Sequence, residues 1–122
     1  MLFIHPKREQ IEAGPVSMWR YEALLPVVPG AHARPGLQPG FTRLVRADNL
    51  ARELGARLVW VKDDSVNHPT FSYKDRVVSV AATKAVEFGC TVFGCASTGN
   101  LANSVSSHAA RLRLDCMVFI PN

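Results

Sequence analysis

From residue 74 onward the chain alternates amphipathic helical stretches with short apolar strands, and this alternation narrows the fold more than any other feature. Val77, Val78, Ala81, Ala82, Ala85 and Val86 recur at steps of three and four, which puts them on one face of a helix over 74–88. Gly89 is its stop signal. Residues 91–96 read as a buried strand. A second helix is expected over 100–112, with Leu101, Val105, His108, Ala109 and Leu112 along one side, followed by a strand over 115–120. Upstream, 42–46 and 57–62 read as strands on either side of a helix over 48–54, with Asp48 as cap and Gly55 as stop. Strands separated by helices imply right-handed crossovers and a parallel sheet. The fold class expected is therefore α/β. Ligands of such sheets bind beyond the carboxyl ends of the strands, which places the loops after Lys62 and Ala96 at one edge.

Residues 1–40 have a different character. Pro6, Gly14, Pro15, Pro26, Pro29, Gly30, Pro35, Gly36, Pro39 and Gly40 punctuate them too densely for long regular elements. An extended arm with one short helix over 17–25 is expected, capped by Ser17 and ended by Pro26.

Two motifs carry chemistry. The run from Asn67 to Arg76 sets Lys74 at the mouth of the 74–88 helix, behind a turn-forming Asn-His-Pro-Thr stretch. A cation there sits against the positive end of the helix dipole, a poor place for stability. A lysine amine can form a Schiff base with a carbonyl cofactor. The plain alternative is a solvated lysine in a Lys-Asp-Arg cluster. Asp75 and Arg76 beside it are expected to pair with each other or to anchor the helix start. The second motif, Ala96-Ser97-Thr98-Gly99-Asn100, joins a strand to a helix. Glycine allows a sharp turn or close approach to a ligand, and the free N–H groups of a helix start can hold a carboxylate. An ordinary capped turn is the plain alternative here.

Taken together, Ser72-Tyr73-Lys74-Asp75-Arg76 and Ser97-Thr98-Gly99-Asn100 resemble the pyridoxal-phosphate enzymes of the tryptophan synthase β type, or fold type II. Within that group the chain looks most like the threonine synthase family. Trp60-Val61-Lys62-Asp63-Asp64, Asn67, Pro69-Thr70 and Gly40-Phe41-Thr42-Arg43-Leu44 also fit, except that Arg43 stands where the family usually has proline. The resemblance covers roughly residues 14–122. It implies a partial three-layer sandwich, with 41–122 as the N-terminal portion of a catalytic domain and 1–40 as a wrapping arm. It implies Lys74 as the catalytic and cofactor-bearing residue, Asn100 as a contact to the ring hydroxyl of pyridoxal 5'-phosphate, and Ser97, Thr98 and Gly99 as the holders of the substrate carboxylate. The implied reaction converts O-phospho-L-homoserine and water to L-threonine and phosphate. Threonine dehydratase and cysteine synthase share a Ser-x-Lys motif and a similar asparagine loop, so they stay open as alternatives. The family's glycine-rich loop for the cofactor phosphate lies further on than Asn122. The chain therefore reads as an incomplete enzyme, expected to be inactive alone, or as a non-catalytic fragment whose last strand offers an exposed edge.

Composition brings few further constraints. The net charge of +4 is spread over dispersed residues such as Arg34, Arg43, Arg46, Arg52, Arg57 and Lys62, with no basic block, so no nucleic-acid partner is expected. The expected partner is a small amino-acid substrate, with a homodimer in the full-length enzyme. Cys90, Cys95 and Cys116 lack metal or redox spacing and are expected to be buried free thiols. His5, His32, His68 and His108 have no helical partner for a metal, and no metal is expected. Met1-Leu2-Phe3-Ile4 is too short for a signal peptide and no run reaches membrane-spanning length, so the cytoplasm is the expected location.

Overall fold

A computed structural model of the chain describes residues 6–28, 30 and 37–121. His5, His32, Arg34, Pro29, Pro35, Gly36 and Asn122 lie outside the described residues. In chain order the elements are α1 (Arg8–Glu12), a 3-10 helix (Met18–Leu24), β1 (Leu44–Arg46), α2 (Asp48–Glu53), β2 (Trp60–Lys62), a 3-10 turn (Asp64–Val66), α3 (Lys74–Glu87), β3 (Val92–Ala96), α4 (Asn100–Leu112) and β4 (Asp115–Phe119).

The fold is α/β, but the single parallel sheet expected from the sequence is not formed by these residues. β1 and β2 pair antiparallel, with Val45 opposite Val61, and β3 and β4 form a separate parallel pair. The reason lies in the connection. α2 has only six residues and ends in a tight turn at Gly55 (φ +61), which returns the chain beside β1 instead of carrying it across a sheet. The longer α4 does make a crossover, from β3 to β4, and there the parallel pairing holds, whereas α3 leads from one strand pair to the other.

The core lies between α3 and α4 and under β3. Val78, Ala82, Ala85, Val105 and Ala109 are buried. Each buried valine contributes roughly 1.5–3 kcal/mol. On α4 the buried side is the one its periodicity indicates, with His108 at its centre. α3 is rotated from expectation. Its buried face is Asp75, Val78, Ser79, Ala82, Thr83 and Ala85, while Val77 is 62% exposed and Ala81 is also exposed. Valine and alanine are abundant enough on this helix to mark two overlapping stripes, and the smaller, more polar one faces α4.

β3 is not the buried strand expected, because α4 covers one side of it and its residues alternate between exposed and half-buried. Every residue of β4 is exposed. The cysteines follow: all three are free, but Cys90 and Cys116 are exposed and Cys95 is half-buried. In the arm, Ser17 caps as expected, its Oγ accepting from Trp19 N–H at 3.3 Å. The turn it starts is 3-10 rather than α, and α1 is a second short helix. Asp48 is the first residue of α2 rather than its cap. No helix among the described residues is long and apolar enough to cross a membrane.

Candidate functional site

Lys74 opens α3, and the loop before it is fixed by a buried amide. Asn67 is fully buried. Its Oδ1 accepts from Gly40 N–H and its Nδ2 donates to the Ser72 carbonyl, both at 2.7 Å. Its own carbonyl accepts from Phe71 N–H at 2.7 Å. These bonds hold Phe71 in a left-handed conformation (φ 59), which costs roughly 1–3 kcal/mol. Gly40 can donate to Asn67 because it lacks a side chain: at its φ of +90 a Cβ would lie 2.7 Å from Arg76 Nη1. Ser72 Oγ then accepts from Lys74 N–H at 3.2 Å. The Lys74 side chain is half-buried, its ammonium 4.6 Å from the centre of the Tyr73 ring. Among the described residues Lys74 enters no ion pair.

Asp75 and Arg76 do not pair with each other. Asp75 is fully buried and accepts three hydrogen bonds: from Thr70 N–H (3.0 Å), Thr70 Oγ1 (2.8 Å) and Ser104 Oγ on α4 (2.6 Å). Arg76 turns the other way and grips Asp64 with two donors, Nε at 2.9 Å and Nη2 at 2.7 Å. Thr42 Oγ1 donates to Asp64 at 2.6 Å, and Lys62 Nζ donates to the Thr42 carbonyl. The Arg76 guanidinium, helped by Thr42, holds the Asp64 carboxyl down at about 2 against a partial opposing effect of burial. The same pairing raises Arg76. Successive residues of the lysine motif thus bind different parts of the chain: Asp75 reaches α4, and Arg76 reaches the β1–β2 region.

The asparagine loop sits at the carboxyl end of β3. Ser97 is half-buried, and Thr98, Gly99 and Asn100 are exposed. Two of its amides are used within the fold. Ser97 N–H donates to the Phe119 carbonyl at 3.1 Å, and Gly99 N–H to Ser97 Oγ at 3.2 Å. The start of α4 carries no side-chain cap, so its first-turn N–H groups are those placed to meet an anion. Ser97 and Thr98 line an open hollow of about 420 Å³ with Phe119, Ile120 and Pro121.

Lys74 and Asn100 are brought to the same end of the molecule by the packing of α3 on α4, not by a shared sheet edge as the strand pattern suggested. The Asp75–Ser104 bond joins the first turn of α3 to the second residue row of α4. No hydrogen bond links Lys74 to Asn100 among the described residues. Ser104 and Thr70 are the site neighbours that sequence reasoning missed as such. The signal for Ser104 was present, because a hydroxyl four residues after Asn100 falls on the apolar face of α4. Deeper in that interface, His108 Nδ1 lies 2.8 Å from the Ser104 carbonyl. A carbonyl only accepts, so Nδ1 carries the proton and Nε2 is left as a buried lone pair with no partner among the described residues. Burial pushes the His108 imidazole below its ordinary value, against smaller opposing effects from the Ser104 carbonyl and Asp75.

Residues 36–122 match the sequence profile of a family described as "Pyridoxal-phosphate dependent enzyme". The chain belongs to that family. Its cofactor is pyridoxal phosphate. Among curated relatives it is 40% identical over 113 residues to threonine synthase of Methanocaldococcus jannaschii, covering 93% of this chain and 27% of that protein. It is 35% identical to threonine synthase of Methanosarcina acetivorans, with the same two coverages, over 113 residues. To threonine synthase of Halalkalibacterium halodurans it is 38% identical over 111 residues, covering 87% of this chain and 30% of that protein. The chain thus spans between a quarter and a third of the length of these relatives.

The residues present fit the cofactor. An aldehyde requires a primary amine within reach of solvent, and Lys74 offers one that no carboxylate engages. Lys74 is half-buried against Tyr73, and Asn100 is exposed at the start of the neighbouring helix, its amide open to a polar ring oxygen.

Proposed function

We propose that this chain is the lysine-bearing part of a threonine synthase, which converts O-phospho-L-homoserine and water to L-threonine and phosphate. The observation that carries this is the presence of an uncompensated Lys74 and an uncapped, asparagine-led helix start on adjacent helices, in a chain 35–41% identical to threonine synthases. The reading includes the fold type II architecture of the family, a partial three-layer sandwich, and a small amino-acid substrate as partner.

The proposed division of labour follows from the side chains. Lys74 Nζ would hold the cofactor, and its amine would take and return protons at the substrate carbons. The Asn100 amide would donate to the ring oxygen of the cofactor. The hydroxyls of Ser97 and Thr98 and the first-turn N–H groups after Gly99 receive the substrate carboxylate, aided by the positive end of the α4 dipole. The cofactor itself, when bound, supplies the electron sink for negative charge at the substrate carbon.

The test is made on the protein at the length of its relatives. Supplied with pyridoxal phosphate and O-phospho-L-homoserine, it is expected to yield threonine and phosphate in equal amounts, and Lys74→Ala is expected to remove that activity. Formation of a 2-oxo acid and ammonia from threonine, with no phosphate release from O-phospho-L-homoserine, would assign the chain to a dehydratase instead.

A further inference from the structure

Asp75 is a fully buried carboxylate in the α3–α4 interface, and its surroundings do more than neutralise it. Two donors come from Thr70 in the lysine loop and one from Ser104 on α4. Asp75 follows Lys74 directly. Ser104 lies one turn along α4 from Asn100, about 6 Å on an ideal helix. The carboxylate therefore touches both structures that present the two site residues. A buried charge is a costly way to hold two helices together, and an apolar pair of similar volume would serve stability as well or better. Hydrogen bonds add direction, which apolar packing lacks.

We propose that Asp75 is a positioning residue: it sets the angle between the Lys74 amine and the Asn100 helix start, with Thr70 and Ser104 as the two legs of the clamp. This rests on the roles proposed above for Lys74 and Asn100. Ser79 supplies an internal control. It is equally buried in the same face of α3, yet its Oγ has no hydrogen-bond partner among the described residues. If buried hydroxyls in this interface matter only through packing, Ser79 and Ser104 should respond alike.

The experiment compares five variants of the full chain: S104A, T70V, T70S, S79A and V105A. Pyridoxal phosphate binding is followed by absorbance. After borohydride reduction, the share of label on Lys74 is compared with that on Lys62 and Lys84. S104A and T70V are each expected to weaken binding about tenfold, the scale of one hydrogen bond to a charged group, and to lower the Lys74 share. T70S keeps the hydroxyl and is expected to bind as wild type, as is S79A. V105A removes core packing without touching the clamp. It is expected to lower the melting temperature at least as much as S104A while leaving binding within about twofold. Equal binding losses in V105A and S104A, or none in S104A, would overturn the proposal. Should wild type carry no label on Lys74, the cofactor reading fails separately. Hydrogen exchange of the cofactor-free chain then decides the clamp. S104A is expected to speed exchange in residues 70–74 together with 100–104, and a response confined to α4 would contradict it.

Discussion

Between α3 and α4 the contact is layered and buried, with Val78 and Ala82 buried on one helix, Val105 and Ala109 on the other, and the Asp75 carboxylate at one end. Around β1 and β2 the situation is reversed. Every strand residue is exposed, Trp60 and Val61 included, and the pair is fastened by Arg76, Asp64, Thr42 and Lys62. The first region derives its stability from area removed from water, the second from a polar knot whose central pair is only partly shielded. Lys74 stands where the two meet, and its neighbours Asp75 and Arg76 each bind one of them. The lysine is thereby followed by two side chains, each anchored in one of the two regions.

The layered side is the more sensitive of the two. A Cβ at Gly94 on β3 would lie 2.5 Å from the Met117 carbonyl oxygen of β4. Gly94→Val is expected to cost about 3 kcal/mol, read as a lower urea midpoint together with faster hydrogen exchange in α4 and β4.

Next comes the knot. Asp64→Asn leaves Arg76 without its partner and is expected to cost about 1–2 kcal/mol after allowance for solvent screening. Emission from Trp19, buried in the arm, reports it. In wild type the same contribution depends on pH. The Asp64 carboxyl titrates near 2 when folded, below its ordinary 3.8. The stabilisation is therefore complete above about pH 4 and is lost as pH falls toward 2. The α3–α4 layer should respond to acid earlier. His108 is shifted down from 6.5 by burial, so folding favours its neutral form. Its contribution is full above pH 6.5 and declines as pH falls below that value. Acid titration with separate probes on the two regions should show the helix layer loosening first. The smallest effect is expected at the Arg46–Asp48 pair, where both side chains are more than half exposed: Arg46→Ala should change stability by less than about 0.5 kcal/mol.

Legibility in the sequence followed the same divide. The helices α3 and α4 and the strands β3 and β4 were readable to within a residue or two, because apolar periodicity registers a buried face. The face of α4 was correct and that of α3 was rotated, since alternating Val and Ala mark no unique stripe and the buried Asp75, Ser79 and Thr83 carry no apolar signal. The pairing of β1 with β2 was missed because strand pattern says nothing of direction when the connection is short. The site motifs were visible as residue types in order. What joins them was not: Asn67 to Gly40 and Asp75 to Ser104 are contacts between distant residues, and only folding brings their polar groups together.

Lys74 is the residue proposed to bear the cofactor. Reduction of the chain with borohydride in the presence of pyridoxal phosphate, followed by peptide mapping, tests it most directly. A dominant adduct is expected on Lys74, lost in Lys74→Ala, with little on Lys62 or Lys84. Equal labelling of the three lysines, or an adduct pattern unchanged by Lys74→Ala, would contradict it.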